Sequence, residues 1–479
     1  MLKRIFGMLI LFVFIITGLV GYQWLSYQRG ESAVVRMQTS PLNYEIKVTH
    51  QAGRLKVEQN VQNIQQQQFY VQIPKGSSDV LCEFDSKSKC EWIGDPKSKQ
   101  LNVEGAPKVT LTYELSLNEE DTSRWLEDWY IKFLDEELQP YAANMSVTVS
   151  EETNTAIAWA AGALNLADVK REYLRYFAWE KQNTTSFPLY MSEEPLAKLS
   201  NDKVLSYLSE SATYNLNNSW FENLPDYSGL TVVSTTKSNV KLAPLLVVLP
   251  VEINQTDADE EIALAYILDS KRPSTEDITW IWKVFPPLVN QQITVDGKVG
   301  QMVEQLQTQL NEEELERFII WLFEKETELV TLQDLDDALS YVTGRQTQFF
   351  SINGEISAPL EPLYFVDERD VYFGGKQINQ NWHAVYQRGK MYLPLVQVVK
   401  AVGFEVTEFE GEETFLVRKG GNTWRLFLNE SFFIYNQEDY GLTSKPLEKI
   451  NGHVYISEKW FEEILRLEIV KRDEGINIQ

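Results

Sequence analysis

The feature that most constrains this chain is a pattern near its C-terminus that occurs twice. Gly389-Lys-Met-Tyr-Leu-Pro-Leu395 leads into Val398, Ala401, Phe404 and Val406. Sixty-three residues later, Gly452-His-Val-Tyr-Ile-Ser-Glu458 leads into Phe461, Ile464, Leu467 and Ile469. Each copy reads as a turn, a strand, a helix and a second strand. Gly389 and Gly452 supply the turn, because glycine takes positive φ without a steric cost. Tyr392-Leu393 and Tyr455-Ile456 are β-prone, and Pro394 and Ser457 mark helix starts, as an N1 proline and an N-cap serine. The apolar steps of three that follow draw a helical stripe. Gly403 closes the first helix as a C-cap residue.

Those residues resemble the bacterial stalk domain, the copper amine oxidase N-terminal-like domain, over roughly 355–475. Gly389, Tyr392, Leu393, Pro394, Leu395, Gly403, Phe404 and Val406 fit its pattern. The second copy departs from it, with Ser457 for Pro394 and Arg466 for Gly403. The resemblance implies a module for display or binding, without copper chemistry and without a cofactor.

The N-terminus bounds where such a module would sit. Ile5 to Trp24 carries no charge. Twenty residues at about 1.5 Å each match the hydrocarbon thickness. Lys3 and Arg4 precede the span and should stay cytoplasmic. An uncleaved anchor over 1–30 is the expectation, with a cleaved signal peptide as its rival. Either way the bulk is extracytoplasmic, and the membrane is a partner through this helix. The net charge of −25 argues against nucleic acid and flat binding to anionic lipid, both of which would repel it. Cys82 and Cys90 are the chain's two cysteines. They flank a polar turn between Val80-Leu81 and Trp92-Ile93, so a disulfide across a hairpin is expected in an oxidising exterior, against two free thiols otherwise.

The expected architecture is α+β and multidomain. After the anchor come a β-rich domain over 31–150, an α-rich middle domain over 151–342 and the stalk-like domain over 349–479. Alternation at Tyr44–Val48, Phe69–Ile73 and Val109–Leu115 marks strands. Helices are expected at Ser123–Leu138, with Trp125, Trp129, Phe133 and Leu134 on one face, and at Ala156–Ala163, Asp168–Phe177, Val204–Leu216, Glu260–Leu268, Val299–Leu310 and Glu312–Glu324, with a break at Asn311. Leu230–Val233 and Leu245–Leu249 read as buried strands, and Thr343–Gln348 as a polar linker.

The order of strand, apolar strand and acidic helix distantly resembles zinc peptidases of the aminopeptidase N type over residues 40–325. Their helix carries H-E-x-x-H, two metal ligands one turn apart with a glutamate base between. Here those positions fall on Glu260, Glu261 and Leu264. Leucine cannot bind zinc, so the resemblance implies a fold that has lost its metal. The three histidines, His50, His383 and His453, have no metal-ligand spacing. No Walker, dinucleotide or G-x-S-x-G signature appears. Asp257–Glu261 and Asp334–Asp337 lack the EF-hand order and read as helix starts. The dense C-terminal aromatics, Phe365, Tyr386 and Tyr392 among them, read mostly as core, with some open to a sugar- or peptide-binding face. The expectation is a non-enzymatic membrane-anchored protein that binds or scaffolds an envelope protein or cell-wall polymer. The alternative is a degenerate, inactive peptidase-like protein.

Overall fold

The structure, a computed structural model, describes residues 40–51, 53–84, 88–93, 99–103, 106–117, 122–152, 156–200, 204–213, 229–290, 297–324, 329–409 and 413–479. The expected anchor, Ile5–Trp24, lies outside them. Among the described residues no helix is long and apolar enough to cross a membrane. The chain divides into two compact units, one running to Ser211 with Ser228–Lys241 and the other holding Leu242–Gln479.

The first unit is almost entirely strand. Its largest sheet has seven, in the order Leu164–Lys170, Arg175–Thr184, Ala143–Glu151, Leu42–Gln51, Arg54–Gln62, Lys108–Ser116, Ser77–Phe84. Leu42–Gln51 and Ala143–Glu151 run parallel. Tyr44, Ile46 and Val48 alternate inward, as do Val109, Leu111 and Tyr113. They share one core with Phe69, Leu101 and Phe133 of a four-stranded sheet, as inward-facing alternate residues of two packed sheets do. Cys82 and Cys90 are joined in a disulfide. Cys90 N–H also donates to the Cys82 carbonyl, but the flanking segments are not the two strands of one hairpin: Ser77–Phe84 joins the seven-stranded sheet and Glu91–Ile93 the four-stranded one.

Four expected helices are strands instead. Ser123–Leu126 pairs with Leu189–Ser192, and Lys132–Leu134 pairs with Gln68–Gln72. The backbone groups of Ser123–Leu138 thus find long-range partners, and Leu138 at φ 62° turns the chain. Trp129 and Phe133 do reach the core, while Trp125 and Leu134 stay half-buried. Ala158–Ala161 is buried at every position and pairs with Leu189–Ser192. A short run that is apolar on all sides has no period to separate strand from helix. Asp168–Phe177 is split between two antiparallel strands, and Val204–Leu208 is a strand parallel to Leu230–Thr235. The expected continuation to Leu216 runs beyond the described residues.

The second unit begins with the Leu246–Pro250 strand and the Gln255–Ser270 helix, and continues through Gly297–Gln309, Glu312–Phe323 and Leu332–Thr343. These agree with the periodicity. Asn311 is the break, and it is a full capping box: its side chain accepts from Glu314 N–H while the Glu314 carboxylate accepts from Asn311 N–H. Thr331 and Asp334 form a second box, so Asp334–Asp337 is a helix start. Thr343–Gln348 is not a free linker. Thr347 N–H donates to Ser340 Oγ, and the Gln346 carbonyl accepts from Val366 N–H.

The doubled motif closes on itself. Lys390–Pro394 and His453–Ser457 are adjacent antiparallel strands with Leu393 opposite Ile456. Those two residues occupy the same place in their copies, so the pair lies on a pseudo-two-fold axis. Each strand is entered through a two-residue hairpin: Arg388-Gly389 at φ 49° and 70°, and Asn451-Gly452 at φ 46° and 75°. Positive φ at both positions gives the turn whose twist matches its strands. Leu395–Ala401 and Glu458–Leu465 follow as helices, and Leu393, Val398, Ile456 and Phe461 share one core. Pro394 stands at the N-cap, not N1. Ser457 is an N-cap residue, but its side chain makes no cap hydrogen bond.

Candidate functional site

The Gln255–Ser270 helix carries the positions with peptidase likeness. Asn254 caps it by accepting from Asp257 N–H, which accounts for the acidic start. Glu260 and Glu261 are half-buried in the next turn, and Leu264 is buried. Burial pushes both carboxyls above the usual range. The negative charges of Asp257 and Glu261 add to this at Glu260, and the Lys283 ammonium opposes it at both. Glu276, the next acid along the chain after Asp269, is exposed at the start of the Glu276–Val284 helix. Among the described residues no three His, Cys, Asp or Glu side chains are grouped to hold a metal. His50, for its part, lies buried with Nδ1 2.6 Å from Glu151 Oε2. At the positions of likeness this helix offers two half-buried carboxyls, Glu260 and Glu261, and no histidine or cysteine.

The other concentration of polar groups surrounds Arg345. Helix Leu332–Thr343 ends at Gly344, whose φ of 65° sends the next residue away from the helix axis. Arg345 then lies over the Phe365 ring, its guanidinium carbon 4.0 Å from the centroid. Its Nη2 donates to Glu314 Oε1 at 2.9 Å. Since Glu314 Oε2 is already held by the Asn311 cap, one carboxylate fixes both a helix start and a guanidinium. The remaining guanidinium N–H groups meet no acceptor among the described residues.

Two residues beyond the Phe365–Asp367 strand, Arg369 is more fully engaged. Nε and Nη2 donate to Asp367, Nη1 to the Arg472 carbonyl, and Nη2 also to the Tyr386 hydroxyl at 3.2 Å. Tyr386 accepts there and keeps its own proton to donate. Arg345, Phe365, Asp367, Glu368, Arg369 and Tyr386 line an open groove of about 440 Å³. Glu368 is exposed and meets no partner among the described residues. The groove is therefore lined by two guanidiniums, each paired with a carboxylate, and by the exposed Glu368.

The motif residues serve the module itself. Gly389 and Gly452 make turns, and Gly403 at φ 85° ends its helix. Tyr392 is buried beside Val385 and Ile450, and its phenol is pushed up to about 12 by burial and then by the Glu448 charge. Tyr455 packs partly buried against the same cluster. Pro394 faces Tyr455 across the two-fold pair. None of these six lines the groove. Sequence reasoning missed Arg345, Glu314 and Arg369. The one available signal was the Asn-x-x-Glu capping pattern, which shows that Glu314 is held and leaves open what it holds.

Residues 372–478 match the family model for the copper amine oxidase N-terminal domain, the family that the doubled motif resembles. No curated protein sequence matches the chain. Among solved structures it is similar to the M1 zinc metallopeptidase of Deinococcus radiodurans, at 10% identity and a TM-score of 0.43, over 64% of this chain and 92% of that one. A mutant of that enzyme bound to a Tyr-Ser-Ala substrate is similar at 11% identity and a TM-score of 0.47, over 67% and 96%.

Proposed function

We propose that this chain is a non-enzymatic, membrane-anchored extracytoplasmic protein that binds an envelope component through its C-terminal module. The observation that supports the reading most is the Arg345 groove. It holds a guanidinium fixed by Glu314 and Phe365, with hydrogen-bond donors left over, beside the strands of the doubled motif. A side chain held this way with donors to spare is arranged for recognition, because its ordering cost is already met in the folded state. The disulfide is consistent with export. The test is retention of the purified full-length chain on isolated cell walls and on solubilised envelope protein. Retention on one of them is expected; the absence of both would end the reading.

A second reading has a specific observation of its own. Glu260 and Glu261 are half-buried carboxyls on a helix that follows an apolar strand, the order of the peptidase likeness. In that reading the chain is a degenerate peptidase that has lost its metal, since Leu264 stands at a ligand position. Elemental analysis of the purified chain tests it: zinc near one equivalent would replace both readings with an active-site one.

A further inference from the structure

We propose that the Arg345 groove takes a single carboxylate, engaged edge-on by the guanidinium of Arg345, on a ligand of dipeptide or monosaccharide size. This rests on reading the module as a binding surface, and it names the chemistry of that surface. A guanidinium is a planar fork of five N–H groups, matched to two carboxylate oxygens. The Arg345 fork spends Nη2 on Glu314 and its central carbon lies 4.0 Å from the Phe365 ring centroid, while Nε and Nη1 meet no acceptor among the described residues and Arg345 lines the groove. The Tyr386 hydroxyl, lining the same groove and already donated to by Arg369, has a proton to give.

The lining limits the charge and the size of the ligand. Arg369 is neutralised by Asp367, and Arg345 is shared with Glu314. Glu368 adds an unpaired negative charge. A dianion such as phosphate would meet these acids at twice the repulsion of a monoanion. A volume of about 440 Å³ lies at the small end of ligand sites. A carboxylate can come from a peptide terminus or from an acidic sugar, and the experiment separates the two.

The purified full-length chain is titrated by calorimetry with N-acetyl-alanyl-alanine, its C-terminal amide, glucuronic acid, glucose and inorganic phosphate. One carboxylate should bind at least about tenfold tighter than its neutral counterpart, the difference a charge-assisted fork makes. The peptide and sugar arms show which source is preferred. Arg345→Gln should abolish that preference. Because Arg345 also pairs with Glu314, Tyr386→Phe is the gentler control: it keeps the ring and should weaken binding by about threefold to tenfold. Equal binding of acid and amide, phosphate tighter than either carboxylate, or no heat with either up to ~20 mM would overturn the proposal. If walls still retain the chain while no carboxylate binds, this assignment falls and the broader reading stands. If a carboxylate binds and neither walls nor envelope protein retain the chain, the reverse holds.

Discussion

The two copies of the motif differ less in their centres than on their flanks. At the centre they are equivalent: Leu393 faces Ile456, both fully buried, and each strand is entered through the same kind of two-residue turn. On the flanks the symmetry fails. The Ala384–Gln387 strand of the first copy is covered by Phe365–Asp367, while its counterpart Leu447–Ile450 is a sheet edge. The substitutions record this. Val385 is buried where the second copy has exposed Glu448, and Tyr386 lines the groove where it has exposed Lys449. The groove is thus a product of broken symmetry. It lies on the side that carries the Phe365–Asp367 strand and Arg345. A charged residue on an open edge also discourages pairing with another chain.

The strongest way to break this account is to exchange the flanks. Val385→Glu should cost about 3 kcal/mol or more, since it buries an unpaired carboxylate. Glu448→Val should stay within about 0.5 kcal/mol, as at other exposed sites. Denaturation followed by hydrogen exchange of the Leu393 and Ile456 amides reads both. Equal costs would mean that the flanks are equivalent after all.

The covered flank should also carry its own pH dependence. Asp336, on the helix that delivers Arg345, is buried and accepts from Phe350 and Ser351 N–H. Burial still pushes its carboxyl up to about 6, from 3.8. A raised folded value means that its stabilisation is complete below about pH 3.8 and is lost as pH rises through 6. Two units correspond to on the order of 3 kcal/mol. Stability relative to Asp336→Asn should therefore fall between pH 4 and 7. A flat difference across that range would sink the assignment.

The smallest contrast lies at the helix ends. Gly403 and Arg466 close equivalent helices in the left-handed region, at φ 85° and 60°. A Cβ added at Gly403 would meet nothing within 4 Å. Gly403→Ala should therefore cost only the backbone penalty, about 1–2 kcal/mol. Arg466→Gly relieves the same penalty but adds chain entropy, for a net gain of up to about 1 kcal/mol. A loss there would show that the Arg466 side chain matters more than its backbone.

What the sequence made legible follows the same division. Turn glycines and the doubled apolar stripe are local signals, and each stands where its chemistry requires. The helices expected at Ser123–Leu138 and Ala156–Ala163 failed because their residues are positioned by distant partners, Trp129 Nε1 on the Phe187 carbonyl among them. The groove was invisible for a related reason. Arg345 and Phe365 are twenty residues apart, and Glu314 is thirty-one away from Arg345. Nothing in their spacing says that they meet.

The shared core of the doubled motif sets a condition on its inheritance. Leu393 and Ile456 shield each other from water, so either copy alone would present half an interior to solvent. Recombination that moved one copy would move an aggregation-prone fragment. The portable genetic unit is therefore the pair, and once fused the copies are free to drift apart everywhere except along their common seam.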